Sequence, residues 1–184
     1  QGVLNRSQTR GKNTLIKSHS TISNTIINHN CKVSGEVHSC IFQPYSNKAH
    51  EGFLGNSFIG SWANLGAGTT TSNLKNNYSS VQVKWNGKLI DTGSIFFGSI
   101  IGDHVKTAIG TNLNTGTVIE LGCNIVSQSF PPRHIPAFSL FYKDKLMKIK
   151  FDDFCDTAKK AMQRRDMTLS SSEKSILNSI YKNC

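Results

Sequence analysis

The sequence predicts a mainly β fold: a left-handed parallel β-helix built from hexapeptides, with an extruded hairpin loop and a short C-terminal helical appendage. Three observations carry that prediction. An aliphatic residue recurs every six positions, a small or β-branched residue follows four positions after each, and the polar surface is built from Asn, Ser and Thr more than from charge. A fixed period of this kind is the mark of a solenoid, in which each unit buries its apolar face only by stacking on its neighbours.

The frame reads Phe53, Ile59, Leu65, Ile95, Ile101, Thr107, Leu113 and Ile119. The small partners are Ser57, Ala63, Thr69, Ser99, Val105, Thr111, Thr117 and Cys123. Upstream the rule gives Thr21 with Thr25, Ile27 with Cys31, and Val33 with Val37. Six residues make one short strand and one turn. The aliphatic points into a triangular prism, and the side chain four places on also points inward but near a corner, so it is small. A sandwich of short strands would show period two instead.

The solenoid is expected over 14–137, with an insertion at 71–94 that leaves the frame and returns at Ile95. A second break in the frame covers Gln43–Gly52. Inside the insertion, Val81–Trp85 and Lys88–Ile90 flank Asn86-Gly87, a pair that supplies the positive φ angles of a type I′ hairpin turn. Long excursions from a rigid scaffold are where function concentrates. After Ile125 the repeat is expected to stop, with Phe130–Pro136 as terminator. An appendage at 138–184 follows: strand-like runs at Phe138–Tyr142 and Leu146–Phe151, a helix at Asp152–Arg165, and a second helix. Ser170 and Glu173 form a capping box for that second helix. The two helices are expected to cap the open end of the solenoid or to pack on a neighbouring subunit.

The chain carries 21 Lys and Arg against 11 Asp and Glu, a formal net charge of +10. Such an excess attracts phosphorylated ligands. No nucleic-acid motif surrounds the basic clusters at 143–150 and 159–165, so sugar phosphates, CoA or nucleotides fit better than nucleic acid. The cysteines, five in number, show no CxxC pair and no zinc spacing, which fits a reducing cytoplasm and no structural metal. No apolar stretch reaches the roughly 18 residues of a membrane span, and no signal peptide is read at the N-terminus. The chain begins at Gln1, so it is expected to be part of a longer protein.

Two stretches, Lys48–Asn56 and Asn64–Asn73, resemble a known family. So do Asn73–Tyr78, Gly102–Thr107 and Asn114–Val118. The family is the acyltransferase half of the bifunctional N-acetylglucosamine-1-phosphate uridylyltransferase/glucosamine-1-phosphate acetyltransferases, and the likeness is closer to the sugar nucleotidyltransferases among their archaeal and Bacteroidetes-type relatives. It covers roughly Thr14 to Leu140. The resemblance implies His50 as general base on a sugar amine, Asn73 as a contact to acetyl-CoA and the amine, and Asn64 as a contact to the sugar. It places the backbone near Ala67 and Gly68 along the CoA arm. Acetyl-CoA would be the co-substrate, and a homotrimer would build each site between two subunits. The chemistry is coherent: an ammonium does not attack a thioester, so a base near neutral pKa removes its proton, and neutral donors face the developing oxyanion.

Two positions depart from the family. A family tyrosine is Phe53 here, and a family lysine in the inserted loop aligns with Ser79, with Lys75 and Lys84 near enough to compensate. Lys48 joins the substrate-binding set. Lys106 and Arg133 are candidates for CoA phosphates. His104 reads as an exposed turn residue, and Trp62 as packing at the trimer seam. The histidines lack the spacing of a zinc site. The nucleotidyltransferase half is absent from these residues and is expected to precede them. The first reading is an acyl-CoA-dependent transferase acting on an amino-sugar phosphate or nucleotide sugar. The alternative is a non-catalytic trimerisation or regulatory module of a sugar nucleotidyltransferase.

Overall fold

The computed structural model describes residues 3–5 and 9–184. The chain winds as a three-sided prism of parallel strands. The first face stacks β1 (Val3–Asn5), β4 (Thr21–Ser23), β7 (Glu36–His38) and β10 (Phe53–Gly55). It continues through β12 (Thr70–Thr71) and β17 (Asn112–Leu113), Gly55 N–H donating to Thr71 Oγ1 at 3.3 Å. The second face stacks β2 (Thr9–Arg10), β5 (Ile26–Ile27), β8 (Ile41–Phe42), β11 (Phe58–Ile59), β15 (Ser99–Ile101), β18 (Thr117–Ile119) and β20 (His134–Ile135). The third holds β3 (Leu15–Ile16), β6 (Lys32–Val33) and β9 (Asn47–Lys48), then Asn64, then β16 (Lys106–Thr107), β19 (Asn124–Val126), β21 (Ser139–Tyr142) and β22 (Lys145–Lys148). The expected fold class is the one observed.

Inward residues stack in columns. On the second face these are Ile27, Phe42, Ile59, Ile101, Ile119 and Ile135, each at most 1% exposed. Burying each such side chain stabilises the solenoid by about 1.5–3 kcal/mol relative to leaving it in water. The expected small residues from Ser57 to Cys123 are all buried. Three frame positions are not inward. Thr21 and Ile95 are exposed and Phe53 is half-buried, while Ile22, Leu54 and Ile101 occupy the interior. For Thr21 and Phe53 the cause is a shortened edge: Ile22 to Ile27, Val37 to Phe42 and Leu54 to Ile59 each span five residues, not six. Alternation across a strand means that a one-residue slip exchanges inside and outside.

Among the described residues, most corners carry a residue in the left-handed region. Where the second face turns into the third, these are Asn13, Asn30, Tyr45, Trp62, His104, Gly122 and Phe138; between third and first, His19, Gly35, Gly52, Gly68 and Gly110; between first and second, Asn24, Ser39, Asn56 and Gly116. Asn and Gly tolerate that backbone best. The aromatic residues there stack on one another: Tyr45 and Trp62 lie 4.2 Å apart and 6° from parallel, with His104 next in line at 6.3 Å. Trp62 therefore packs within its own solenoid's corner column. His104 holds its expected turn but is only 8% exposed, because the C-terminal helix covers it.

The insertion leaves after Thr71 and re-enters at Ser99–Ile101, where Phe58 and Ile59 pair with Ile100 and Ile101 as if nothing intervened. Ile95 belongs to its neck, beside the bridge between Leu74 and Phe96. The hairpin forms as expected from β13 (Gln82–Trp85) and β14 (Lys88–Asp91), with Asn86 and Gly87 both at positive φ. It folds back on the prism: a Cβ on Gly116 would sit 2.8 Å from Gln82 O.

The repeat does not end at Ile125. After a surface loop, β20 and β21 add a further coil, with Ile135 and Phe141 inward. Pro131 and Pro132 lie in that loop, which a solenoid accommodates outside its strands. The appendage starts with the β21–β22 hairpin. Helix α1 (Phe151–Gln163) and helix α2 (Ser171–Lys182) follow, and the Ser170–Glu173 capping box is present. Phe154 of α1 stands where the corner column has only Gly122, between His104 at 5.6 Å and Phe138 at 4.9 Å. This contact lays α1 along the flank of its own prism, and Arg165 beyond its end reaches Asn47 at 2.9 Å.

Candidate functional site

The outer surface of the third face is a groove of about 760 Å³, roofed by Ala161, Arg164 and Arg165 from the end of α1. Its floor is one column of outward residues in register: Lys32, Asn47, Asn64 and Lys106. Asn47 donates through Nδ2 to Asn64 Oδ1 at 3.3 Å and accepts from Arg165 Nη2, so floor and roof are tied together. One wall is the Tyr45–Trp62 stack. The other is the corner toward the first face, with Lys17, His50, Ala67 and Ile109. Burial holds the Lys106 ammonium below the usual lysine range.

His50 is exposed on the ridge between the third and first faces. On the first-face side, the Phe53 ring lies over Gly55 and extends toward Asn73, since a Cβ on Gly55 would meet both. Asn73 sits at the far edge, donating through Nδ2 to Asn56 Oδ1 at 2.8 Å and accepting at its carbonyl from Phe97 N–H at 2.9 Å. Within one chain, His50 and Asn73 thus stand at opposite edges of the first face. A three-residue strand separates them, about 10 Å.

The structure gathers His50, Asn64, Ala67 and Lys106 around one groove. Gly68 follows at the same corner with φ +72°. Lys75 and Arg133 line a different, shallower depression with Ser72 and Asn114. The Lys75 ammonium is bound to Ser79 Oγ at 3.1 Å and to the Ser80 carbonyl, which pins the inserted loop. Arg133 reaches Gln82 O at 3.5 Å. Lys84 is exposed on the hairpin, away from the groove.

Lys48 departs furthest from its expected role. It is 1% exposed and fills an inward position above Val33, where its neighbours in the column are aliphatic. Its ammonium donates to the carbonyls of Ser34 (3.4 Å), His50 and Glu51 (2.8 Å). Burial pulls its pKa down to about 8. The two coils are out of step at this corner, since Val33 to Val37 spans four residues and Lys48 to Leu54 spans six. The ammonium meets carbonyls that the mismatch leaves inside. Lys48 therefore braces the turn that carries His50 and does not face the groove.

Sequence reasoning missed Lys17, Lys32, Arg164 and Arg165. The basic run at 159–165 was visible, but nothing in it shows that the helix folds back on the prism. Among the described residues, no group of His, Cys, Asp and Glu is placed to hold a metal ion, and no helix is long and apolar enough to cross a membrane.

No family model matches the chain. Among curated proteins, it is 35% identical over 86 residues to a bifunctional sugar-1-phosphate nucleotidylyltransferase/acetyltransferase of Sulfurisphaera tokodaii, covering 47% of this chain and 21% of that one. It is 31% identical over 140 residues to the bifunctional protein GlmU of Methanococcus maripaludis, covering 76% of this chain and 30% of that one. This chain resembles the bifunctional sugar-1-phosphate nucleotidylyltransferase/acetyltransferases. The matches to these GlmU-type proteins span between about a fifth and a third of the relatives' length. Among solved structures, a point mutant of AntD, an N-acyltransferase from Bacillus cereus in complex with dTDP and coenzyme A, aligns with a TM-score of 0.46. Its sequence identity is 15%, over 85% of this chain and 91% of that one.

Proposed function

We propose that the chain is the acyltransferase part of a GlmU-type protein, moving an acetyl group from acetyl-CoA to the amine of an amino-sugar phosphate or nucleotide sugar. The observation that carries this reading is the position of His50. It stands exposed on a ridge, with the Asn64–Lys106 groove on one side and the Phe53–Asn73 shelf on the other. A base there can take a proton from an amine held on one side while a thioester arrives from the other. Asn64 would hold the sugar, and Ala67 and Gly68 would line the donor's path. Because Asn73 lies at the far edge of the first face, a homotrimer would bring it to a neighbour's ridge, and the active unit is a trimer in this reading. The five unpaired cysteines suit a reducing cytoplasm. A nucleotidyltransferase half would belong to the rest of the protein. Lys75 and Lys84 serve the inserted loop and hairpin here, with Arg133 beside them, and no step of the transfer needs them.

The single-turnover chemistry is tested by CoA release from acetyl-CoA with a panel of amino-sugar phosphates and nucleotide amino sugars. His50→Ala is expected to lower the rate at least a hundredfold with an unchanged melting temperature, since the side chain is exposed. Turnover equal in the variant removes His50 as the base. No turnover on any acceptor favours a trimerisation module, the reading that the missing hydroxyl at Phe53 supports.

A further inference from the structure

The roofed groove holds a charge imbalance that goes beyond Lys106, the one cation of it on which the acyl-transfer reading draws. Lys17, Lys32, Lys106, Arg164 and Arg165 line it, and no carboxylate does. Two of these cations follow the C-terminus of α1, where basic side chains offset the helix dipole. That accounts for neither Lys17, Lys32 nor Lys106, which come from three coils of the prism. Like charges gathered in a recess repel one another and are stabilised by an anion. Side by side with them stands a flat aromatic wall, Tyr45 on Trp62, at the corner opposite His50.

We propose that this groove binds the diphosphate of a nucleotide, with Arg164 and Arg165 closing over it from α1. Lys32 and Lys106 lie beneath the phosphates, and Lys17 meets them at the His50 corner. The base rests toward the Tyr45–Trp62 wall, an arrangement that uses both the charge and the aromatic face. A monophosphate would engage the cations but leave the aromatic wall unused. Docking of α1 and ligand binding are thereby linked, since Arg165 contacts the floor through Asn47. The inference deepens the acyltransferase reading and rests on it for the two sources of such a group, CoA or a nucleotide-activated acceptor.

The test is calorimetric titration of the full chain with ADP, UDP, CoA and glucosamine 1-phosphate. ADP or UDP should bind at least tenfold more tightly than glucosamine 1-phosphate, and more weakly as salt rises. The double variant Arg164→Ala/Arg165→Ala should lose at least tenfold for the nucleotides, the scale of one lost charge-assisted contact. Lys32→Ala, which leaves α1 untouched, should lose affinity in the same direction, so the test survives if the double variant loosens the helix. CoA binding far above ADP assigns the site to the donor; UDP above ADP, without displacement by CoA, assigns it to the acceptor. Glucosamine 1-phosphate binding as tightly as the nucleotides, no nucleotide binding, or variants without effect would each overturn the proposal. Binding is read without turnover, so failure of the acyltransferase chemistry leaves this result separate.

Discussion

Lys48 gives the strongest quantitative test of the fold. A lysine of ordinary pKa near 10.5 is held at about 8 in the folded chain because burial disfavours its charge. The unfolded chain then binds more protons than the folded one between pH 8 and 10.5. Stability rises with pH through that window, is fully gained above the unfolded pKa, and is lost as pH falls through the folded pKa. Between pH 7 and pH 9 the gain amounts to about 1 kcal/mol. The perturbation is Lys48→Met, a straight chain that suits an otherwise aliphatic column. Urea unfolding of both proteins at pH 7, 8 and 9 isolates the effect, because the buried thiols and Lys106 titrate alike in the two and cancel. The wild type is expected to gain about 1 kcal/mol on the variant across that range. Parallel pH profiles would refute the reasoning and would place the Lys48 ammonium in water.

Gly122→Ala should detach α1, because the new Cβ would stand 2.9 Å from Phe154 at a backbone φ of +71°. The expected cost is about 1–3 kcal/mol, with faster amide exchange in α1 as the readout; unchanged protection would contradict the docking. Ser170→Ala removes the oxygen that accepts from Glu173 N–H at 3.2 Å. It should cost about 1 kcal/mol and lower the melting temperature by about 2–4 °C, measured by circular dichroism.

Much of the architecture was legible because it is periodic. Small residues such as Ala63 and Thr111 lie inside as expected, since a corner has little room whatever the neighbours are. Asn86-Gly87 forms its turn, and Ser170 with Glu173 caps its helix, because both depend on a few adjacent residues. Two of the errors were of phase. Thr21 and Phe53 stay outside because one edge of the prism is a residue short, and a frame read in sixes carries no sign of that; Ile95 stays outside because it still belongs to the neck of the insertion. The coil at Ile135 was hidden by the prolines before it, which mark a loop and not an end.

Of the candidate site, the sequence by itself offered His50 and Asn64 through the family resemblance of Lys48–Asn56 and Asn64–Asn73, His50 lying in a stretch that breaks the repeat. Tertiary structure alone decided what surrounds them. Lys48 turned inward because two coils of unequal length left carbonyls that need donors. The Lys75 ammonium turned to Ser79 and the Ser80 carbonyl of its own loop. Arg164 and Arg165 reached the groove because Phe154 fits the gap above Gly122 and lays α1 back along the prism. Local spacing fixes which side of a strand a residue faces. Which distant segment arrives opposite it depends on packing between parts of the chain far apart in sequence, and no local pattern records that.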